Sequence, residues 1–138
     1  MNDEIRLRIE AADRAIREER FDDLMDFYTD DAVLVVLPGH VARGKAEIRQ
    51  AFVRIAAYFR NSLVPTQGEM QMLEAGDTAL VLSQTLLDAD NRGKVGVGME
   101  RRATYVYRRV NGAWLCAVDN SYGTDLLGQK SEYQGAKA

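Results

Sequence analysis

The chain has little of what most site chemistries require. One histidine, His40, and one cysteine, Cys116, stand in 138 residues. No His/Cys cluster for zinc can be assembled and no internal disulfide can form, which fits a reducing compartment. Positive charge is not in excess: 18 Lys and Arg against 21 Asp and Glu give a formal charge of −3. That balance argues against a nucleic-acid-binding domain and against attraction to an anionic membrane surface. Long apolar runs are missing as well, since the longest uncharged stretch, Ala32 to Ala42, is far too short to span a bilayer. The opening MNDEIRLRIE is charged and carries no apolar core of a signal peptide. The expectation is a cytoplasmic protein, with no nucleic acid or membrane as partner and with no cofactor.

Nucleotide and calcium fingerprints also fail. Gly93-Lys94 and Gly96-Val97-Gly98 lack the spacing of a P-loop or a dinucleotide turn. Asp88-Ala89-Asp90-Asn91-Arg92-Gly93 begins like a calcium loop, but Arg92 and Met99 stand where two ligands are needed, so it reads as a turn with no metal.

What is present is an ordinary globular composition, 46% hydrophobic and 28% charged, enough for one core but not two. A single domain over residues 1–127 is expected, with a small polar tail over 128–138 that should fray. The chain is organised around Arg101 to Ser121. Asn111-Gly112 between two runs rich in β-branched and aromatic residues signals a two-residue hairpin. The turn sets a register in which one face carries Arg109 opposite Trp114, Tyr107 opposite Cys116, and Tyr105 opposite Val118. The other face carries Arg108 opposite Leu115, Val106 opposite Ala117, Thr104 opposite Asp119, and Arg102 opposite Ser121. The first face is bulky, and Tyr105, Tyr107, Trp114 and Val118 on it are expected to pair two copies of the chain as a homodimer. The second face is small, with room for a ligand.

Three helices are predicted before this hairpin. Ile5, Ile9, Ala12 and Ile16 share a face of the first; Phe21, Leu24, Met25 and Tyr28 form the stripe of a short second, broken by Thr29-Asp30-Asp31. The third runs roughly from Lys45 to Phe59, with Ile48, Phe52, Ile55 and Phe59 on one side and Pro65 beyond its exit. Val33 to Leu37 is a strand stopped by Pro38-Gly39, and further strands are expected over 66–74 and 78–87. The order gives an α+β fold: a cone-shaped, strongly curved antiparallel sheet with three helices in the N-terminal half, one closing the pocket. Val35, Leu37, Phe52, Ile55, Phe59, Arg102, Thr104, Val106, Ala117 and Ser121 are the expected lining.

Two residues are candidates for catalysis. Asp119 lies mid-strand on a largely apolar concave surface, where desolvation raises a carboxyl's pKa and makes a weak acid a useful base. Its competing reading is structural, an ion pair with Arg102 or Arg108 or a hydrogen bond to Thr104. His40 follows Pro38-Gly39 at a strand end; its competing reading is an exposed loop histidine. Cys116, between bulky neighbours, reads as an inert core thiol.

Phe27-Tyr28-Thr29-Asp30-Asp31-Ala32, Arg43-Gly44-Lys45-Ala46-Glu47-Ile48 and Asn111-Gly112-Ala113-Trp114 resemble the nuclear-transport-factor-2-like superfamily, which includes ketosteroid isomerase and the SnoaL-like polyketide cyclases. The resemblance covers about Glu4 to Tyr122. It implies an α+β cone with a deep pocket and homodimers packed through the outer sheet face. Steroid isomerisation is not implied. The acidic base before the proline of the first strand is here Leu37, and the two oxyanion donors fall at Ala12 and Thr104. What remains is a pocket protein for a small hydrophobic ligand, an isomerase- or cyclase-like enzyme led by Asp119. Its rival is a non-catalytic binding or dimerisation module of the same fold.

Overall fold

Asn111 and Gly112 both adopt positive φ, 51° and 83°, the backbone that a tight turn between right-twisted strands demands. The turn closes β5 (Met99–Val110) on β6 (Ala113–Asn120), and the structure, a computed structural model, describes residues 3–58, 64–88 and 99–128. From the turn inward the pairs run as the sequence predicts, Val110 with Ala113 through Tyr107 with Cys116. At Ala117 the register slips by one residue, so that Val106 meets Val118, Tyr105 meets Asp119 and Thr104 meets Asn120.

That bulge corrects the reading of the faces. One extra residue turns every later side chain of β6 to the opposite side. Asp119 therefore leaves Thr104 and joins Tyr105, Tyr107, Trp114 and Cys116. This bulky face is the inner one: Trp114 is 1% exposed and Tyr107 and Cys116 are fully buried, with Tyr105 close behind. Three of the four residues expected to meet a second copy are thus the core of a single chain. Arg102, Thr104 and Val106 belong to the outer face, alternating with Ala103 and Tyr105, which are buried.

Six strands form one sheet in the order β2-β1-β6-β5-β4-β3, with β1 spanning Tyr28–Leu37, β2 His40–Arg43, β3 Val64–Ala75 and β4 Thr78–Asp88. The sheet is mixed rather than antiparallel, because β1 lies parallel to β6. It remains open, an α+β cone. The first strand begins earlier than its sequence suggests. Tyr28 was expected on a helix, yet it pairs with Cys116 and its ring meets Phe27 edge-on at 5.0 Å. The three polar residues after it find partners on the strand. Thr29 Oγ1 donates to Asp31 Oδ1 at 2.9 Å, Arg108 reaches Asp31 at 2.6 Å, and Lys45 lies 3.4 Å from Asp30. Tertiary partners override local turn preference here. The short strand β2 was not expected either; it returns from the Pro38-Gly39 turn onto β1.

Helix α1 (Asp3–Arg17) buries Ile5, Ile9, Ala12 and Ala15 and packs on β3. A short α2 (Phe21–Leu24) and a 3₁₀ turn (Met25–Phe27) lead into β1. Helix α3 (Gly44–Tyr58) buries Ile48, Ala51, Phe52 and Ala56 and lies across β1. After β6, Asn120 Oδ1 accepts the backbone N–H groups of Tyr122 and Gly123 at 3.0 and 3.1 Å. Gly123 has φ 54°, and a Cβ there would strike the carbonyl of Arg102; this turn requires glycine. It leads into a further short helix, α4 (Asp125–Gly128). Among the described residues no helix is long and apolar enough to cross a membrane. Phe59, the loop that begins like a calcium site and the tail beyond Gly128 lie outside the described residues.

Candidate functional site

The open end of the cone holds a cavity of about 540 Å³, within the usual range for small-molecule sites. α1 contributes Asp13 and Ile16, β1 its last residues from Leu34 to Leu37, and α3 Phe52, Arg54 and Ile55. The walls are mainly apolar. Asp119 stands in the inner wall, 6% exposed. It is placed there by the bulge at Ala117 and by pairing of β6 with both β5 and β1, where its partners are Tyr105 and Leu34.

Two hydroxyls hold its carboxylate. Tyr28 Oη donates to Oδ2 at 2.7 Å and Ser121 Oγ to Oδ1 at 3.4 Å. Burial pushes the carboxyl up from the ordinary 3.8 to about 6, against the pull of those two donors. In turn burial, reinforced by the charge of Asp119, raises the Tyr28 and Tyr105 phenols and the Cys116 thiol well above their usual ranges. These three are neutral donors or spectators near neutral pH, and Cys116 is a core thiol. Arg102 and Thr104 are not among the partners of Asp119, and Arg108 is engaged with Asp31. The expected alternative of an ion pair fails for a geometric reason: the bulge turns Asp119 to the face away from those side chains.

A second carboxyl shares the cavity. Asp13 is raised to about 6, first by burial and then by the charge of Asp119 and Glu10, with the Gln67 hydrogen bond and Arg17 opposing. Gln67 Nε2 donates to Asp13 Oδ2 at 3.0 Å. The amide cannot turn round easily, because Ser83 Oγ and Thr85 Oγ1 both donate to its Oε1. The polar chain Ser83/Thr85–Gln67–Asp13 thus aims an N–H at one oxygen of the carboxylate. Asp13 and Tyr28 were missed as site residues. Asp13 had a signal, an acid at helical spacing between Ile9 and Ile16 on a stripe that must face the core. Tyr28 had none, since its role depends on a parallel pairing that no local pattern announces.

Of the expected lining, Val35, Leu37, Phe52, Ile55 and Ser121 border the cavity. Arg102, Thr104 and Val106 do not, because that side of β5 is the outer face of the sheet, nor does Ala117, the bulged residue. His40 is exposed on β2, opposite Leu37, and does not reach the cavity. Among the described residues no group of three or more His, Cys, Asp or Glu side chains could hold a metal ion.

Comparison with known proteins agrees with this architecture. The profile of the SnoaL-like domain matches residues 5–117. Aln2 from a Streptomyces species superposes with a TM-score of 0.77 at 17% identity, over 91% of this chain and 92% of its own. An NTF2-like protein with a cystatin-like fold from Novosphingobium aromaticivorans gives 0.74 at 18%, over 85% and 77%. A protein from Catenulispora acidiphila, solved in complex with S-DNPA, gives 0.67 at 21%, over 84% and 87%. At such identities the likeness is one of fold. No curated protein matches the chain.

Proposed function

Because the chain belongs to the SnoaL-like domain family, we propose that it is a proton-transfer enzyme of the isomerase or cyclase kind, acting on a hydrophobic organic substrate in this cavity. The observation that carries the reading is the pair of raised carboxyls, Asp119 and Asp13, bordering one mainly apolar space. Both carboxyls titrate at about 6, so near that pH each is about half protonated and the singly protonated pair is a major form. One member can then take a proton while the other gives one, which is the requirement for moving a proton between two carbons. Asp119 is the base. A substrate C–H beside a carbonyl passes its proton to Oδ1 or Oδ2, and the bond's electron pair moves to the carbonyl oxygen as an enolate. The enolate is reprotonated by Asp13 at a second carbon, or its carbon attacks a second carbonyl of the same molecule and closes a ring, the second carbonyl's electron pair moving to its oxygen, which takes a proton from Asp13. Tyr28 keeps the Asp119 carboxylate in one orientation. A cavity packed full of its own apolar side chains would have favoured a non-catalytic module; about 540 Å³ of space favours the enzyme.

The test is deuterium uptake in deuterium oxide by a panel of apolar ketones and keto acids, followed by mass spectrometry. Exchange beside a carbonyl should be accelerated by the protein, rise with pH through about 6 as Asp119 ionises, and vanish in Asp119→Asn. No acceleration across the panel, or full acceleration by the variant, would count against the reading.

We also propose a homodimer, now on the true outer face. With Val81, Ser83 and Thr85 directed inward, β4 turns Leu80, Leu82 and Leu86 outward, and Leu73 faces out beside them on β3. Leu73 is 53% exposed and Leu82 and Leu86 are each 42% exposed. Neighbouring apolar side chains on a sheet face mark an interface, and a face that meets itself about a two-fold axis closes the assembly. Leu82→Arg should convert a dimer to a folded monomer by light scattering, with unchanged circular dichroism. A monomeric wild type at micromolar concentration would overturn the proposal.

A further inference from the structure

The polar groups of the cavity are sorted by depth. Asp119 is deep, and the apolar walls of Leu34, Phe52 and Ile55 rise from it. Apart from the two aspartates, the charged lining groups among the described residues are guanidiniums, Arg54 and Arg101, and both are less buried than Asp119: Arg54 is exposed and Arg101 half-buried. Arg101 is positioned by stacking, its guanidinium carbon 5.1 Å from the centre of the Tyr122 ring, which the Asn120 turn fixes at the end of β6. Arg54, on α3, lines the same cavity. The residues three and four positions either side of it are Gln50, Ala51, Ala57 and Tyr58, none of them acidic, so its own helix brings no carboxylate to compete with a ligand.

Resting on the proton-transfer reading, we propose that Arg54 and Arg101 form an anion-binding mouth, so that the substrate is a hydrophobic carboxylic acid or equivalent oxyanion. Its charged end stays at the guanidiniums while its apolar body carries the reacting carbon down to Asp119. Planar guanidiniums suit a carboxylate better than a point cation would, because they offer parallel N–H groups to both oxygens. The arrangement also solves an electrostatic problem. An anion beside the ionised Asp119 would be repelled, whereas an anion at the mouth is separated from it by the length of the apolar wall and neutralised where it sits. It fixes direction too: a molecule with one charged end can enter only one way round.

The test compares two probes of the same shape, naphthoate and naphthamide, by amide NMR titration of the full chain. Naphthoate should shift resonances of cavity residues such as Ile55 and Ser121 and bind at least about tenfold more tightly than naphthamide. That preference should shrink in Arg54→Gln and in Arg101→Gln, and with added salt. Should Arg101→Gln disturb the fold through Tyr122, Arg54→Gln at an exposed helical site still decides the matter. Equal binding of the two probes, a preference that survives Arg54→Gln, or no cavity shift with either probe would overturn the proposal. Binding is read without turnover, so the outcome is separable from the proton-transfer reading. In Asp119→Asn the preference for the acid should persist while deuterium uptake is lost.

Discussion

Asp119→Asn is expected to make the protein more stable at pH 7.5, and to remove its proton-transfer activity by orders of magnitude. The sign follows from burial. In the unfolded chain the carboxyl titrates at its ordinary 3.8, and in the folded chain at about 6. Below 3.8 both states are protonated and the group's contribution is at its most favourable. Between those values the unfolded chain gives up its proton while the folded one retains it, so stability falls as pH rises. Above about 6 both are ionised and the loss is complete. At about 1.4 kcal/mol for each tenfold change in proton affinity, the loss is about 3 kcal/mol. Asparagine does not ionise. Its carbonyl oxygen can still accept from Tyr28 and its N–H₂ can donate to Ser121, so no buried polar group is orphaned. The variant should therefore exceed wild type by about 1–3 kcal/mol at pH 7.5, with the gap closing by pH 4. Urea denaturation at the two pH values measures it. Asp13 should follow Asp119: with that charge gone, its own carboxyl should titrate lower, visible by NMR. A variant less stable than wild type at pH 7.5 would mean that the carboxylate, through its bonds from Tyr28 and Ser121, holds the fold together, and the base assignment would fail.

The second large effect concerns Trp114. As the core of one protomer it is 1% exposed and capped by Arg109, whose guanidinium carbon lies 4.5 Å from the ring centre. Trp114→Ala removes the largest buried side chain of the inner face. The expected cost is about 3–5 kcal/mol, enough to lower the thermal midpoint by roughly 10 °C or more. If the bulky face were instead exposed and met a partner, the same change would alter a protomer's stability by less than about 0.5 kcal/mol and act on dimerisation alone. Comparing the denaturation of Trp114→Ala with that of Leu82→Arg separates the two faces, since only the second should leave the protomer's stability near wild type.

Much of the architecture was legible because it is local. Asn111-Gly112 requires positive φ at both positions, and few backbones other than a tight hairpin accept that. Ile5, Ile9 and Ala12 recur at helical spacing, and so do Ile48, Phe52 and Ile55, which gives helices whatever surrounds them. The motifs that resemble the superfamily gave the cone. Asp119 was singled out for the right physical property, a carboxyl on an apolar concave wall, although its face and neighbours were assigned from an unbroken register.

What the sequence determined by itself, then, is the main elements, though not β2, α4 or the start of β1, together with the α+β class and the identity of one candidate acid, since turn chemistry and periodicity act over a few residues. What only the tertiary structure decided is which way those elements face. Ala117 carries no mark of a bulge, because an alanine fits a regular ladder equally well; the extra residue shows only where β6 pairs with both β1 and β5. That single slip turns Asp119 inward, away from Arg102 and Thr104, and sets it beside Tyr28 of the neighbouring β1 and in the cavity that Asp13 of α1 also lines. Such contacts join residues far apart in the chain, and their geometry exists only once the sheet has closed around its core.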